Sequence, residues 1–172
     1  MPGNPDFDLA SLYDAHAGPV FAFALNLTRS EADARDVLQE VFVRLAKQAD
    51  ALEKIRDWRG FLLRLAHNQI VDLSRRRDTR NRREEAFQTD ALELFAPSGD
   101  PDEAAFRNEL AHALAELPGD QRAVVHLKLW EGLTFEQIAE TLDIPANTAA
   151  SRYRYGLDKL RTRLRPLYEE IR

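Results

Sequence analysis

Cysteine is absent from the 172 residues. That excludes disulfides and thiolate metal sites, and it suits a reducing cytoplasm. Glycine (7) and proline (8) are scarce and sit mostly near the termini and in two central stretches, so long helices meet few breakers. No apolar run approaches the ~20 residues that a membrane span needs. The opening MPGNPDFDLA lacks the basic-then-apolar plan of a secretory signal. Direct membrane insertion is therefore not expected. Catalytic signatures are missing too. The histidines His16, His67, His112 and His126 are scattered without metal-ligand spacing. There is no Gly-rich phosphate loop and no nucleophile motif. These absences argue against an enzyme, and no metal or cofactor is expected.

What remains is a highly charged, helix-forming chain, long enough for one ordinary domain or two small ones. No strand alternation and no internal repeat is visible. Apolar residues recur at helical spacing in successive blocks. The first helix is expected over about Asp8 to His16. Gly18-Pro19 then interrupts it or restarts it, and a second piece runs to Leu27. Ser30 followed by Asp33 offers a cap for a helix from Glu31 to Lys47. That helix buries Ala34, Val37, Leu38, Val41, Phe42 and Leu45 and shows Asp33, Asp36, Gln39, Glu40 and Arg44 on its other face. A long helix follows from about Asp57 to Arg77. Residues 78–102 lose periodicity and hold Pro97, Ser98, Gly99 and Pro101, the composition of a linker. Helices resume at about Glu103–Leu117 and Gln121–Trp130.

Charge is distributed unevenly around a net value of −5. Arg64, Arg75, Arg76, Arg77, Arg80, Arg82 and Arg83 form one basic block. Arg152, Arg154, Lys159, Arg161, Arg163 and Arg165 form a second. Residues 84–120 between them are strongly acidic. Two separated cationic surfaces suit two contacts with one polyanion, despite the negative sum.

Residues 132–164, GLTFEQIAETLDIPANTAASRYRYGLDKLRTRL, carry the sharpest signal. Thr134 and Gln137 form a capping-box pair. Ile138, Ala139 and Leu142 make one apolar face. Asp143-Ile144-Pro145 ends that helix, because the residue before proline is pushed out of the α region. Asn147 or Thr148 can cap the next helix. In it, Ala149, Tyr153, Gly156, Leu157, Leu160 and Leu164 face inward, and Ser151, Arg152, Arg154, Tyr155 and Asp158 face out. The small Ala139 and Gly156 let the two helices approach closely. This is the layout of a helix-turn-helix, whose second helix enters a DNA major groove.

Two blocks then resemble one family. LYDAHAGPVFAFALNLTRSEADARDVLQEVFVRLAKQ with DWRGFLLRLAHNQIVDLSRRR resembles sigma region 2. ALAELPGDQRAVVHLKLWEGLTFEQIAETLDIPANTAASRYRYGLDKLR resembles sigma region 4. Their order and separation are similar to those of bacterial extracytoplasmic-function (ECF) RNA polymerase sigma factors. The resemblance implies an all-α fold of two small helical domains, region 2 over residues 1–83 and region 4 over 103–172, joined by an acidic linker, 84–102. It implies a factor that binds core RNA polymerase and directs initiation at particular promoters. Asp36, Gln39, Glu40 and Phe42 fall in the motif that meets the β′ clamp helices, and an acidic face suits that basic partner. The β flap is a further expected contact.

By position, Asn68, Asp72, Arg75, Arg76 and Arg77 are the candidates for the −10 strand. Opened bases need aromatic and basic surfaces; Trp58 and Phe61 are available, though their spacing fits core better. Asn147, Thr148, Ser151, Arg152, Arg154 and Tyr155 are the candidates for the −35 element, with Arg able to bond guanine bidentately. The chain departs from the family pattern at Ala150, where a basic residue is common, and at Asn147 and Asp143, where glycine is frequent. Those departures bear on which −35 sequence is read. The resemblance also implies an anti-sigma factor as a possible partner. The rival reading is a helix-turn-helix regulator that binds duplex DNA without polymerase; it leaves the acidic Asp36–Glu40 face and the Trp58–Arg77 helix without a task.

Overall fold

A computed structural model describes residues 8–48, 52, 54–80 and 99–170. All regular structure among them is helical, in the order α1 (Leu9–Thr28), α2 (Glu31–Lys47), α3 (Trp58–Arg80), α4 (Pro101–Glu116), α5 (Gly119–Leu129), α6 (Phe135–Leu142) and α7 (Ala146–Glu170). Most of the expected acidic linker lies outside the described residues, as do Arg82 and Arg83.

Local chemistry sets most boundaries. The Asp8 carboxylate accepts from the Ala10 N–H and starts α1. The Ser30 hydroxyl accepts from the Asp33 N–H at 3.3 Å and starts α2. Asp57 accepts from the Gly60 N–H at 3.0 Å at the head of α3. One boundary differs from expectation: Pro19 does not divide α1, which runs unbroken through it. An interior proline costs ~3 kcal/mol. The deep burial of Val20, Phe23 and Ala24 just beyond it offsets that cost. Packing overrides local propensity here.

The apolar faces of α1, α2 and α3 close on one another around Phe23, Val37, Val41, Leu62, Leu63 and Ala66. Asp33 departs from the expected surface position. It is buried, and its Oδ1 meets the Arg77 guanidinium at 2.6 Å, tying α2 to the far end of α3. A second core, of Ala113, Leu114, Leu117, Val125, Leu160 and Leu164, joins α4, α5 and α7.

The two expected units meet along an apolar seam. The core of α1–α3 is continuous with Ala123, Val124, Leu127, Leu133, Ile138, Leu142 and Ala149 from α5, α6 and α7. The seam runs where α1 meets α5 and α3 meets α6. Polar groups are built into it. Asn26 Nδ2 lies 3.0 Å from His126 Nδ1. His126 stacks on Trp130 and meets Phe23 edge-on, with centroids 5.4 and 5.3 Å away. Its Nε2 faces Glu131 Oε1 at 3.7 Å. Arg59 of α3 donates from Nε to Glu131 Oε2 at 2.8 Å, and its other nitrogen reaches the Glu131 backbone carbonyl. Burial pushes the Glu131 carboxyl up, but His126 and Arg59 outweigh it and hold the carboxyl below its ordinary value.

Arg122 is a buried strut. It donates to the carbonyls of Leu114, Ala115 and Leu117, closing the C-terminus of α4, and to Asn26 O across the seam at 3.2 Å. Burial, with Arg29 nearby, pushes its pKa down to about 10, so it remains a cation at neutral pH.

Candidate nucleic-acid interface

The helix-turn-helix forms from the residues that signal it. The Thr134 hydroxyl accepts from the Gln137 N–H at 3.2 Å, and the Gln137 side chain accepts from the Thr134 N–H at 2.8 Å. Asp143 ends α6 in the left-handed region, φ 55° and ψ 53°. Aspartate visits that region more readily than most residues, at modest cost. The start of α7 is earlier than either expected cap. Pro145 O accepts from the Ala149 N–H at 3.0 Å, so Asn147 and Thr148 lie inside the first turn. Proline's fixed φ is already helical, which explains the early start.

The inner face of α7 carries Ala149, Gly156, Leu160 and Leu164, all buried, with Tyr153 edge-on to Phe135 at 5.6 Å. Gly156 serves a different neighbour from the one expected. A Cβ there would lie 2.7 Å from Val125 Cγ2, so the close approach is to α5 rather than to α6.

The outer arc is divided in its duties. Asn147, Arg154 and Tyr155 are exposed, and the Arg154 guanidinium sits 5.2 Å from the Tyr155 ring centroid. Thr148, Ser151 and Arg152 are half-buried. The Ser151 hydroxyl donates back to Thr148 O at 3.0 Å. Arg152 Nε meets Asp120 Oδ2 at 3.2 Å, at the first turn of α5. Arg152 therefore braces the helix, while Arg154 projects from it.

On α3, Asn68, Asp72, Arg75 and Arg76 are exposed. Arg64 is exposed as well and precedes Asn68 and Asp72 at four-residue spacing, which places the three on one stripe. Arg64 is not among the residues expected at the −10 strand; its i, i+4, i+8 spacing with Asn68 and Asp72 is the sequence signal that joins it to them. Arg77 stands apart, because Asp33 holds it. Trp58 and Phe61 pack edge-on at 6.1 Å against the core, both half-buried. His67 is half-buried on the same helix, and burial lowers its pKa.

On α2, Asp36 and Gln39 are exposed. Glu40 is half-buried and pairs with Arg44 at 3.0 Å, one turn on. Phe42 is 8% exposed and packs edge-on against Tyr13 at 4.9 Å. It belongs to the core and supports the polar face from behind. The seam residues Asn26, Arg59, Arg122, His126 and Glu131 carried no sequence signal, since their partners lie 72 to 100 positions away, apart from bonds within α4 and α5.

Helices that pair an exposed polar stripe with a helix-turn-helix define a DNA-directed helical factor, and comparison with known proteins makes the class specific. Residues 12–80 match the model of Sigma-70 region 2, and residues 113–162 match that of Sigma-70 region 4. The chain is 33% identical over 160 residues to the ECF RNA polymerase sigma factor SigL of Mycobacterium tuberculosis, covering 92% of this chain and 90% of that one. It is 32% identical to SigE of Mycolicibacterium smegmatis over 91% of this chain and 61% of the relative. Among solved structures, the fold is similar to the sigma factor RpoE of Bartonella quintana in its complex with the anti-sigma factor NepR, with a TM-score of 0.78, 20% identity, and 92% and 97% coverage. The chain belongs to the sigma-70 family, as an ECF RNA polymerase sigma factor.

Proposed function

We propose a division of labour among three faces of this sigma factor. The exposed Asp36 and Gln39 on α2, with Glu40 beside them, dock against a basic surface of core polymerase, in this reading the β′ clamp helices, with the β flap as a second contact. The α3 stripe of Asn68, Asp72, Arg75 and Arg76, extended by Arg64, follows the opened −10 strand. The α7 arc led by Asn147, Arg154 and Tyr155 enters the major groove at −35. The supporting observation is the exposed polar stripe on α3 alongside an exposed Arg-Tyr pair on the recognition helix. Arginine rows bind phosphate and make binding salt-dependent, whereas an arginine projecting from a recognition helix can read a base edge.

The factor positions and melts DNA for the polymerase and contributes no catalytic group of its own. It acts where core polymerase works, in the cytoplasm. No described helix is long and apolar enough to cross a membrane. An anti-sigma protein is a fitting regulator, because the similar Bartonella quintana fold is seen complexed with one. The test is transcription from matched promoters by purified core polymerase, with and without the chain. Promoter-specific transcripts that require both components are expected. Tight, specific promoter binding by the chain alone would instead favour a polymerase-independent regulator.

A further inference from the structure

The turn between α1 and α2 is held in a conformation that its central residue does not favour. Arg29 has φ 56° and ψ 26°, in the left-handed region. A side chain there carries a steric penalty, which glycine escapes and which asparagine and aspartate bear more readily. The turn is nevertheless tightly fixed. The Arg29 N–H donates to Leu25 O at 2.9 Å. The Thr28 hydroxyl donates to Ala24 O at 2.8 Å and accepts from the Ser30 N–H at 3.4 Å. The side chain adds to the cost. It is half-buried, and burial lowers its pKa. Neither neighbouring acid serves it: Glu31 pairs with Arg35, and Asp33 with Arg77. Among the described residues its guanidinium has no hydrogen bond or ion pair. Its electrostatic neighbour is another cation, the buried Arg122.

We propose that the α1–α2 turn is a binding site for a phosphate group, held by the Arg29 guanidinium with Arg122 behind it. The left-handed backbone, the unpaired half-buried guanidinium and the like charge beside it each weaken the free chain. An oxyanion removes the last two costs at once. Backbone strain that the surroundings hold in place is a mark of function rather than of stability. Arg122 places four of its five N–H groups on carbonyls. The one left is on Nη1, the nitrogen that reaches Asn26 O, three residues before Arg29. A phosphate dianion balances two cations where a carboxylate balances one, and its oxygens suit the arginine fork. A cation is also favoured at the negative end of a helix such as α1, and substitution separates that role from a binding site. The site is independent of the roles proposed for α2, α3 and α7.

The test uses the full chain, with inorganic phosphate as the probe. Thermal unfolding is followed in chloride, acetate and phosphate at equal ionic strength and pH. Phosphate also strengthens folding generally, by exclusion from protein surfaces, so wild type is compared with Arg29→Gly and Arg29→Asn. Both replacements accept the left-handed conformation and remove the cation. In chloride both variants should be as stable as wild type or more so. A saturable gain with phosphate is expected in wild type beyond that of the variants: at ten times the dissociation constant the folded-to-unfolded ratio rises about elevenfold. A clear loss of stability of both variants in chloride would make Arg29 a structural cation of the α1 terminus and overturn the site. So would an equal phosphate gain in wild type and both variants, or an equal gain from acetate in wild type. A second arm, holoenzyme on promoter DNA, separates the two sources of such a group. If the phosphate belongs to the nucleic-acid backbone, Arg29→Asn lowers the slope of log affinity against log salt by about one. An unchanged slope, with the free-chain gain retained, assigns the site to a soluble phosphate compound.

Discussion

The faces proposed for −10 and −35 are both arginine-bearing helix surfaces, yet they are held in different ways. The α3 stripe lies along the outer side of one long helix, and its anchoring comes from beneath, through Leu62, Leu63, Ala66 and Ile70. Arg77, at its end, is tied to α2 through Asp33. The α7 arc is fixed at its leading end by the capping box, the left-handed Asp143, the Gly156 approach to Val125 and the Arg152–Asp120 pair. A helix that must insert in register into a groove needs such pinning. A surface that follows a flexible single strand is better served by a row of adaptable side chains. Arginines of similar sequence context thus differ in their surroundings: Arg77 and Arg152 are paired with carboxylates of other helices, while Arg76 and Arg154 are exposed.

The largest expected effect concerns what supports both faces together. Arg122→Ala removes the donor to four carbonyls on two elements. Buried acceptors left unpaired cost about 1–3 kcal/mol each. Allowing for the second partners some of them keep, a loss of about 3 kcal/mol or more is expected in chemical unfolding. A variant as stable as wild type would show that the strut is dispensable.

Pinning of the recognition helix is tested next. Gly156→Val places a Cβ 2.7 Å from Val125 Cγ2, on a β-branched neighbour with little freedom to move. Overpacking of this kind costs about 1–3 kcal/mol, and −35 binding should fall with it. Differential scanning calorimetry and promoter binding by holoenzyme would measure the two effects together.

Within α3, the comparison can be broken at adjacent positions. Arg77→Ala should lower stability by ~1–3 kcal/mol, because Asp33 is left buried without its cation. Arg76→Ala, at an exposed position, should leave stability within about 0.5 kcal/mol. Its effect belongs in the salt dependence of promoter opening. Equal unfolding curves for the two variants would erase the distinction.

On α7, Arg154→Ala should alter −35 base preference, since a lost bidentate contact is worth ~1–3 kcal/mol of discrimination. Arg152→Ala should weaken binding evenly across sequences by loosening the Asp120 brace. Transcription from promoters randomised at −35 separates them, and a reversed outcome would mean the helix faces the groove differently. The smallest effect is that of pH on the seam. Glu131 has its folded pKa below its ordinary value of 4.5. Its contribution is therefore present above that value and is lost as pH falls through the lower, folded pKa. Wild type should lose stability more steeply than Glu131→Gln on acidification below about pH 4.5. Parallel slopes would contradict the pairing.

Where signals were local, the sequence was legible. Ser30, Thr134–Gln137 and Asp143 announce their boundaries because a cap needs only residues within one turn. The exposed positions of Arg154, Tyr155 and Asp158 follow from helical period, whereas Asn68, Asp72, Arg75 and Arg76 were singled out by their place in the motif that the chain resembles. Reading failed where distant contacts decide. Pro19 sits within a helix because burial beyond it compensates. Asp33 looked like surface and is buried, because Arg77 reaches it from 44 residues away. Phe42 has the period of core, and it lies there. The seam was invisible, since Arg59 and Glu131 have no local signature of partnership and the apolar faces they join read equally well as two separate cores.

The α3 stripe is proposed to serve promoter opening, apart from polymerase docking. Permanganate reactivity of thymines at −10 tests it most directly, measured with holoenzyme carrying wild type or the Arg75→Ala, Arg76→Ala double variant at equal core occupancy. Markedly reduced reactivity is expected in the variant, with a shallower dependence on salt because fewer phosphate contacts release counterions. Wild-type reactivity and an unchanged salt slope, in a variant that assembles normally, would contradict it.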